Sequence, residues 1–183
     1  VGELELGQRI KEKRLSRQLT LKQLAEMVGC SDAHISQIER GRASPSIATL
    51  KKIAAALQSK ITDFFNDGED DEPVVMTPEN RKTLTLSRWN ARIQSLVKNA
   101  KDKRMQPFFT TIQPGGGSHG SYQHVGEEFG IVLKGEMSLE VKGTKYTVHQ
   151  FESFYYDSND PHSWSNDTDK ETVVIWVVSP PSF

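Results

Sequence analysis

One cysteine, Cys30, stands in the 183 residues, which rules out an internal disulfide framework and a cysteine-rich zinc site and points to a reducing compartment. No apolar run approaches the roughly 18 residues that cross a bilayer. Charge begins at Glu3, which does not read as a secretory leader, so a cytoplasmic, bacterial-type protein without a membrane partner is the expectation. There is no repeat unit and no low-complexity run. A strong charge of one sign is missing too, since the formal net charge is −1. Residues 1 to 68 nevertheless hold 11 Lys and Arg against 8 Asp and Glu, whereas residues 69 to 183 hold 12 against 16. A mildly basic head on an acidic body suits a nucleic-acid reader joined to a part that does not touch nucleic acid, although counts this small also arise by chance. The length allows one large domain or two small ones, each with its own core.

What is present is densest between Thr20 and Gly41. Leu21, Leu24, Ala25 and Val28 fall at i, i+3, i+4 and i+7, so they form one apolar stripe of a helix that Thr20 precedes as N-cap. Gly29 and Cys30 make a turn, and Ser31 caps a second helix. Ile35 and Ile38 pack back on the first stripe, which leaves Asp32, Ala33, His34 and Gln37 on other faces, free to meet base edges.

This run resembles the helix-turn-helix of the phage-repressor (XRE) family, with its Thr, Leu-Ala, turn Gly, Ser, Ile-Ser, Ile-Glu and Arg-Gly in register. Arg9 to Arg14 reads as the preceding helix, and Pro45 to Leu50 opens the following one. The resemblance implies a pair between Arg14 and Glu39, and a sequence-specific reader of double-stranded operator DNA. Gln37 is suited to adenine, Asp32 to cytosine and Ala33 to a thymine methyl, while His34 reaches base or phosphate. Ser36 and Arg42 are assigned to phosphate, and Thr20, Ser31 and Arg40 complete the expected DNA-binding set. Leu21 departs from the family, where a glutamine often touches phosphate at that place.

The first domain, residues 1 to 66, is expected to be all helical, with helices over 4–17, 21–28, 32–40, 47–57 and a short fifth over 61–65. Residues 67 to 73 are read as an acidic linker, Asp67-Gly-Glu-Asp-Asp-Glu-Pro73. From residue 74 to 183 the pattern changes to short segments rich in β-branched and aromatic residues, among them 82–87, 106–113, 129–133, 137–141, 145–148, 153–156 and 172–178. Many short strands at regular spacing predict a sandwich or barrel.

Within that region Tyr122, His124, Glu128, Gly135, His162 and Asn166 are similar to the two motifs of a cupin barrel. The chain thus resembles an XRE-family regulator with a C-terminal cupin sensor. The implied fold class is a five-helix, lambda-repressor-like head followed by an all-β double-stranded β-helix, or jelly-roll, barrel. In a strand, side chains two apart share a face, so Tyr122 goes with His124, and His162 with Trp164 and Asn166. Two imidazoles and a carboxylate, His124, Glu128 and His162, form a ligand set for one divalent metal such as zinc, iron or manganese. The same groups with Tyr122, Trp164 and Asn166 could hold an organic effector instead. The family's first motif histidine is Tyr122 here, and Phe151-Glu152-Ser153 replaces a frequent Gly-Asp, so catalysis is not expected. Three further histidine and glycine positions carry weaker signals. His119 is expected in an exposed glycine-rich loop, His149 at a turn, and Gly130 as either ligand space or a strand bulge. Cys30 is read as a small buried hydrophobe before a redox sensor, and Lys98, Lys101, Lys103 and Arg104 as a solvated loop.

The combined expectation is a homodimeric regulator whose operator binding responds to a small-molecule effector. Competing readings are a cupin enzyme fused to a helix-turn-helix, and an adaptor or antitoxin-like protein.

Overall fold

The computed structural model describes residues 2–64, 73–100 and 103–181. Four α-helices open the chain: α1 (Glu3–Ser16), α2 (Leu21–Val28), α3 (Asp32–Glu39) and α4 (Ile47–Ala56). Each of the last three starts at a hydroxyl cap. Thr20 accepts from the Gln23 amide while the Gln23 side chain reaches back to the Thr20 amide, and Ser31 and Ser46 accept from the amides of His34 and Thr49. The α2 helix ends at Gly29, whose φ of 77° is the left-handed conformation that favours a residue without Cβ. Leu6, Ile10, Leu24, Ile35, Leu50 and Ile53 are fully buried and make the core of this head.

The fifth helix expected from the sequence is instead a 3₁₀ turn, Ile61–Phe64. Ile61 and Phe64 are both buried, and an i, i+3 pair on one side is what the three-residue turn aligns. Phe65 and Asn66, the linker up to Glu72, and Lys101 lie outside the described residues.

Among the described residues nine strands follow: β1 (Thr83–Leu86), β2 (Ala91–Ser95), β3 (Gln106–Ile112), β4 (Glu127–Lys134), β5 (Glu136–Val141), β6 (Thr144–His149), β7 (Ser153–Asp157), β8 (His162–Ser165) and β9 (Thr172–Ser179). They form a six-stranded sheet in the order β1-β2-β3-β9-β4-β7 and a three-stranded sheet in the order β6-β5-β8. All pairings are antiparallel. On β9 burial alternates, with Val174, Trp176 and Val178 inward, and His162 and Trp164 do the same on β8.

Head and β region touch directly. The indole N–H of Trp89, in the 3₁₀ turn between β1 and β2, donates to the Pro45 carbonyl at 3.0 Å, and the Ser87 amide donates to Glu3 at 2.6 Å.

Candidate functional site

The α3 helix turns outward most of the residues expected to meet DNA. Ser31, Asp32, Ala33 and Gln37 are exposed, His34 is half-buried, and Ile35 and Ile38 are buried against the rest of the head. Arg14 of α1 grips Glu39 at the end of α3 through two bonds, Nε to Oε1 at 2.6 Å and Nη2 to Oε2 at 2.9 Å, and its Nη1 donates to the Leu19 carbonyl. This bidentate pair ties the end of α3 to α1.

Two residues expected at phosphate or base have partners within α3. Ser36 is buried and its hydroxyl accepts from the Arg40 guanidinium, so this pair braces α3 from behind. Asp32 turns its Oδ1 onto the Ala33 amide at 2.8 Å, which occupies one of the N-terminal donors of α3. Thr20 and Ser31 are exposed, with their hydroxyls serving as caps, and Arg42 is exposed just past the helix.

The second site is built on Glu128 of β4, which is 2 % exposed. Its Oε1 meets His124 Nε2 at 2.5 Å, and its Oε2 accepts from the Tyr156 hydroxyl at 2.6 Å and from the Trp176 indole. His162 points its Nε2 at the same Oε1 from 3.5 Å, too far for a strong hydrogen bond. Burial alone would raise the Glu128 pKa, but the His124 hydrogen bond and the adjoining His162 ring outweigh it and hold the carboxyl well below its usual range. Tyr122 and Tyr156 are pushed the other way, first by burial and then by the Glu128 charge, so both phenols stay protonated and Tyr156 serves as a donor to Glu128.

The residues fit a divalent metal. His124, Glu128 and His162 each offer one ligand atom, all within 4.8 Å of one another. His162 Nδ1 donates to the Asp160 carbonyl at 2.8 Å, which leaves the lone pair on the fully buried Nε2, where no hydrogen-bond partner meets it among the described residues. Two imidazoles and one carboxylate with open positions suit iron, manganese or zinc. Tyr122 stands at 4.3 Å between ring centroids from His162, and its hydroxyl accepts from Trp164 Nε1 at 3.1 Å.

Beside this cluster lies a pocket walled by Ile93, Phe108, Thr110, Tyr122, Glu128, Trp164, Trp176 and Val178, with Ile47 of the head at its edge. Trp164 therefore lines it as expected, but Asn166 does not. The Asn166 amide donates to the carbonyls of Ile112 and Lys170 and its oxygen accepts from Thr168, so every polar atom is spent on holding the loop before β9. Gly130 provides no ligand space either: a Cβ there would fall 2.1 Å from the Phe154 ring, which takes up that space, and the nearest strand irregularity is at Val132 to Lys134. His119 and His149 are exposed, the latter 3.3 Å from Glu136. Cys30 is half-buried and burial pushes its thiol pKa up, away from the reactive thiolate. Sequence reasoning missed Tyr156 and Trp176, the two donors on Glu128 Oε2. The signal for them was the alternation Val174, Trp176, Val178 and Phe154, Tyr156 on strands that share the inward face with Glu128.

Comparison with known proteins agrees with both halves. Residues 10–64 match the helix-turn-helix family and residues 108–178 match the cupin domain family. The HTH-type transcriptional regulator PuuR of Escherichia coli is 32% identical over 179 residues, which span 97% of this chain and 96% of that one. The chain belongs to this family of helix-turn-helix transcriptional regulators with a cupin domain. A second Escherichia coli regulator, SutR, is 28% identical over 161 residues, covering 88% of this chain and 86% of its own. A crystal structure of an HTH_3 family transcriptional regulator from Vibrio cholerae superposes with a TM-score of 0.69 at 27% identity, over 97% of this chain and 96% of that one. Among the described residues of the regulator, no helix is long and apolar enough to cross a membrane.

Proposed function

We propose that the protein is a cytoplasmic, homodimeric repressor or activator that reads a near-palindromic operator with α3, and that a small molecule in the cupin pocket modulates this binding. The observation that carries the reading is the pairing in one chain of an exposed α3 face, held by Arg14 and Glu39, with a buried pocket around Glu128. Residues 1–66 are the head, 67–73 the connection and 74–183 a cupin jelly roll whose two sheets close into a barrel. Two heads one helical turn apart would place Gln37, Ala33 and His34 against base edges, with Arg42 and the amides at the start of α3 on phosphate. Asp32 is the weakest base reader of the set, because its Oδ1 is taken by the Ala33 amide.

His124, Glu128 and His162 would hold one divalent metal, which supplies a Lewis-acidic point for anchoring an effector. Tyr156 and Trp176 orient the carboxylate, and the aromatic walls exclude water. We assign the pocket to sensing and not to turnover, since Tyr122 replaces a fourth ligand. The test is a thermal-shift screen of metals and metabolites on the full chain, followed by operator binding with and without each hit. A hit that shifts the melting temperature and alters operator affinity supports the reading. Metal-dependent turnover of a bound metabolite would favour the enzyme, and absence of salt-dependent binding to DNA would favour an adaptor.

A further inference from the structure

The head contributes to the wall of the pocket around Glu128. Ile47, the first residue of α4, lies in its lining. One turn further on, Lys51 reaches inward until its Nζ lies 4.9 Å from the centre of the Tyr122 ring, within cation–π range. That ammonium is sealed from solvent. Its surroundings push its pKa down, to about 7, through burial, with the Glu128 charge pulling the other way. The approach is set by the Trp89 to Pro45 and Ser87 to Glu3 bonds, which hold the start of α1 and the entry to α4 against the β region.

The pocket that Tyr122 lines has a cavity of about 20 Å³, room for roughly one water molecule. A metabolite of even a few heavy atoms does not fit there. Its other walls are core: Phe108, Trp164, Trp176 and Val178 are at most 6 % exposed and belong to paired strands. The element that can leave without breaking a sheet is the Lys51 side chain together with α4.

Resting on the reading of this pocket as the sensor site, we propose that Lys51 occupies the effector's place and Ile47 its rim, so that the docked head and a pocket ligand exclude one another. The DNA-binding domain is then itself the plug of the sensor. Ligand entry is reported as the withdrawal of α4, the helix joined to the end of the reading helix by residues 40–46. A ligand can shift the head only through such differential affinity, and exclusion by volume provides it.

The test uses the full chain and n-propylammonium as probe. Lys51→Ala opens the space of the lysine side chain, and binding is followed by quenching of Trp164 and Trp176 fluorescence. The variant is expected to bind the probe at least about tenfold more tightly than the wild type, from burial of the probe's methylene groups. Lys51→Met, which refills the space without charge, should stay silent. Equal binding by the wild type and Lys51→Ala, or none by a Lys51→Ala protein whose circular dichroism and thermal transition match the wild type, overturns the proposal. A second measurement is hydrogen exchange on Lys51→Glu, which places a carboxylate beside Glu128. Exchange of amides in residues 47–56 should rise by about tenfold or more, and unchanged exchange overturns the proposal. Failure of every metabolite to alter operator binding would defeat the sensor reading while leaving this competition standing, so the two can fail separately.

Discussion

Removing the Glu39 carboxylate should cost the head most of its stability. In Glu39→Ala the Arg14 guanidinium keeps its bond to the Leu19 carbonyl but loses both bonds to the carboxylate. The two side chains are 8% and 5% exposed, so the pair belongs to the buried class, in which deleting one partner costs about 3–5 kcal/mol by stranding the other charge. A domain of this size holds only about 5 kcal/mol or somewhat more in total, so the loss is close to the whole. The Arg9 and Glu5 pair on the same helix supplies the control: with side chains 20% and 46% exposed, Glu5→Ala should cost under about 1 kcal/mol. Trp89, Trp164 and Trp176 all lie beyond residue 73 while the α-helices lie before it. Ellipticity at the helical wavelength therefore follows the head, and tryptophan fluorescence the β region together with the docking of Trp89 on Pro45. Thermal melts should show the Glu39→Ala helical transition lowered by at least about 12 °C and the main fluorescence transition moved by much less. A shift no larger than that of Glu5→Ala would refute the assignment of Arg14 and Glu39 as a buried brace.

Titration calorimetry should find one site for manganese, zinc or ferrous ion, and His162→Ala or Glu128→Gln should weaken it by more than about a hundredfold. The pH dependence has a definite sign. Because the folded-state pKa of Glu128 lies below its ordinary 4.5, its stabilisation is complete above that value and is lost as pH falls through the folded-state value, so the fluorescence melting temperature should fall below about pH 4.5 and Glu128→Gln should flatten the fall. Gly130→Ala should destabilise the β region by about 1–3 kcal/mol through collision with the Phe154 ring, and Phe154→Leu in the same chain should recover part of it in denaturant melts. On an operator, Gln37→Ala should cost about 1–3 kcal/mol at particular bases, whereas Arg42→Ala should weaken all sequences alike and reduce the salt slope by about one, both readable by fluorescence anisotropy.

The head was legible because its signals are local. Caps at Thr20, Ser31 and Ser46 and apolar residues at helical spacing each act within a few residues, and the structure has helices where they predict them. The β region was legible where alternation is strong, as on β9, and hidden where strands are short or polar. Of β2 only Ala91 and Ile93 are apolar, and β8 buries a histidine beside a tryptophan, so hydrophobic period alone does not mark them. His124, Glu128 and His162 could be grouped by motif spacing, but Tyr156 and Trp176 join them only through pairing of β4 with β7 and β9, which is set by long-range register. Asn166 shows the converse. A polar residue in register with a site is drawn equally well to unsatisfied loop carbonyls, and here the carbonyls of Ile112 and Lys170 prevail. Nothing in the sequence placed Lys51 over the Tyr122 ring, since that contact depends on how head and β region dock.

The bond from Trp89 to the Pro45 carbonyl joins the halves a second time, independently of the chain between them. Where docking is fixed by such a contact, the connecting segment sets only how often the halves meet, as an effective concentration that varies gently with its length. Lengthening or shortening residues 67–73 should then tune how readily the head lets go while leaving its docked position the same. A change of length in that segment would act as a dial on sensitivity, while the docked position is kept by the Trp89 and Ser87 bonds.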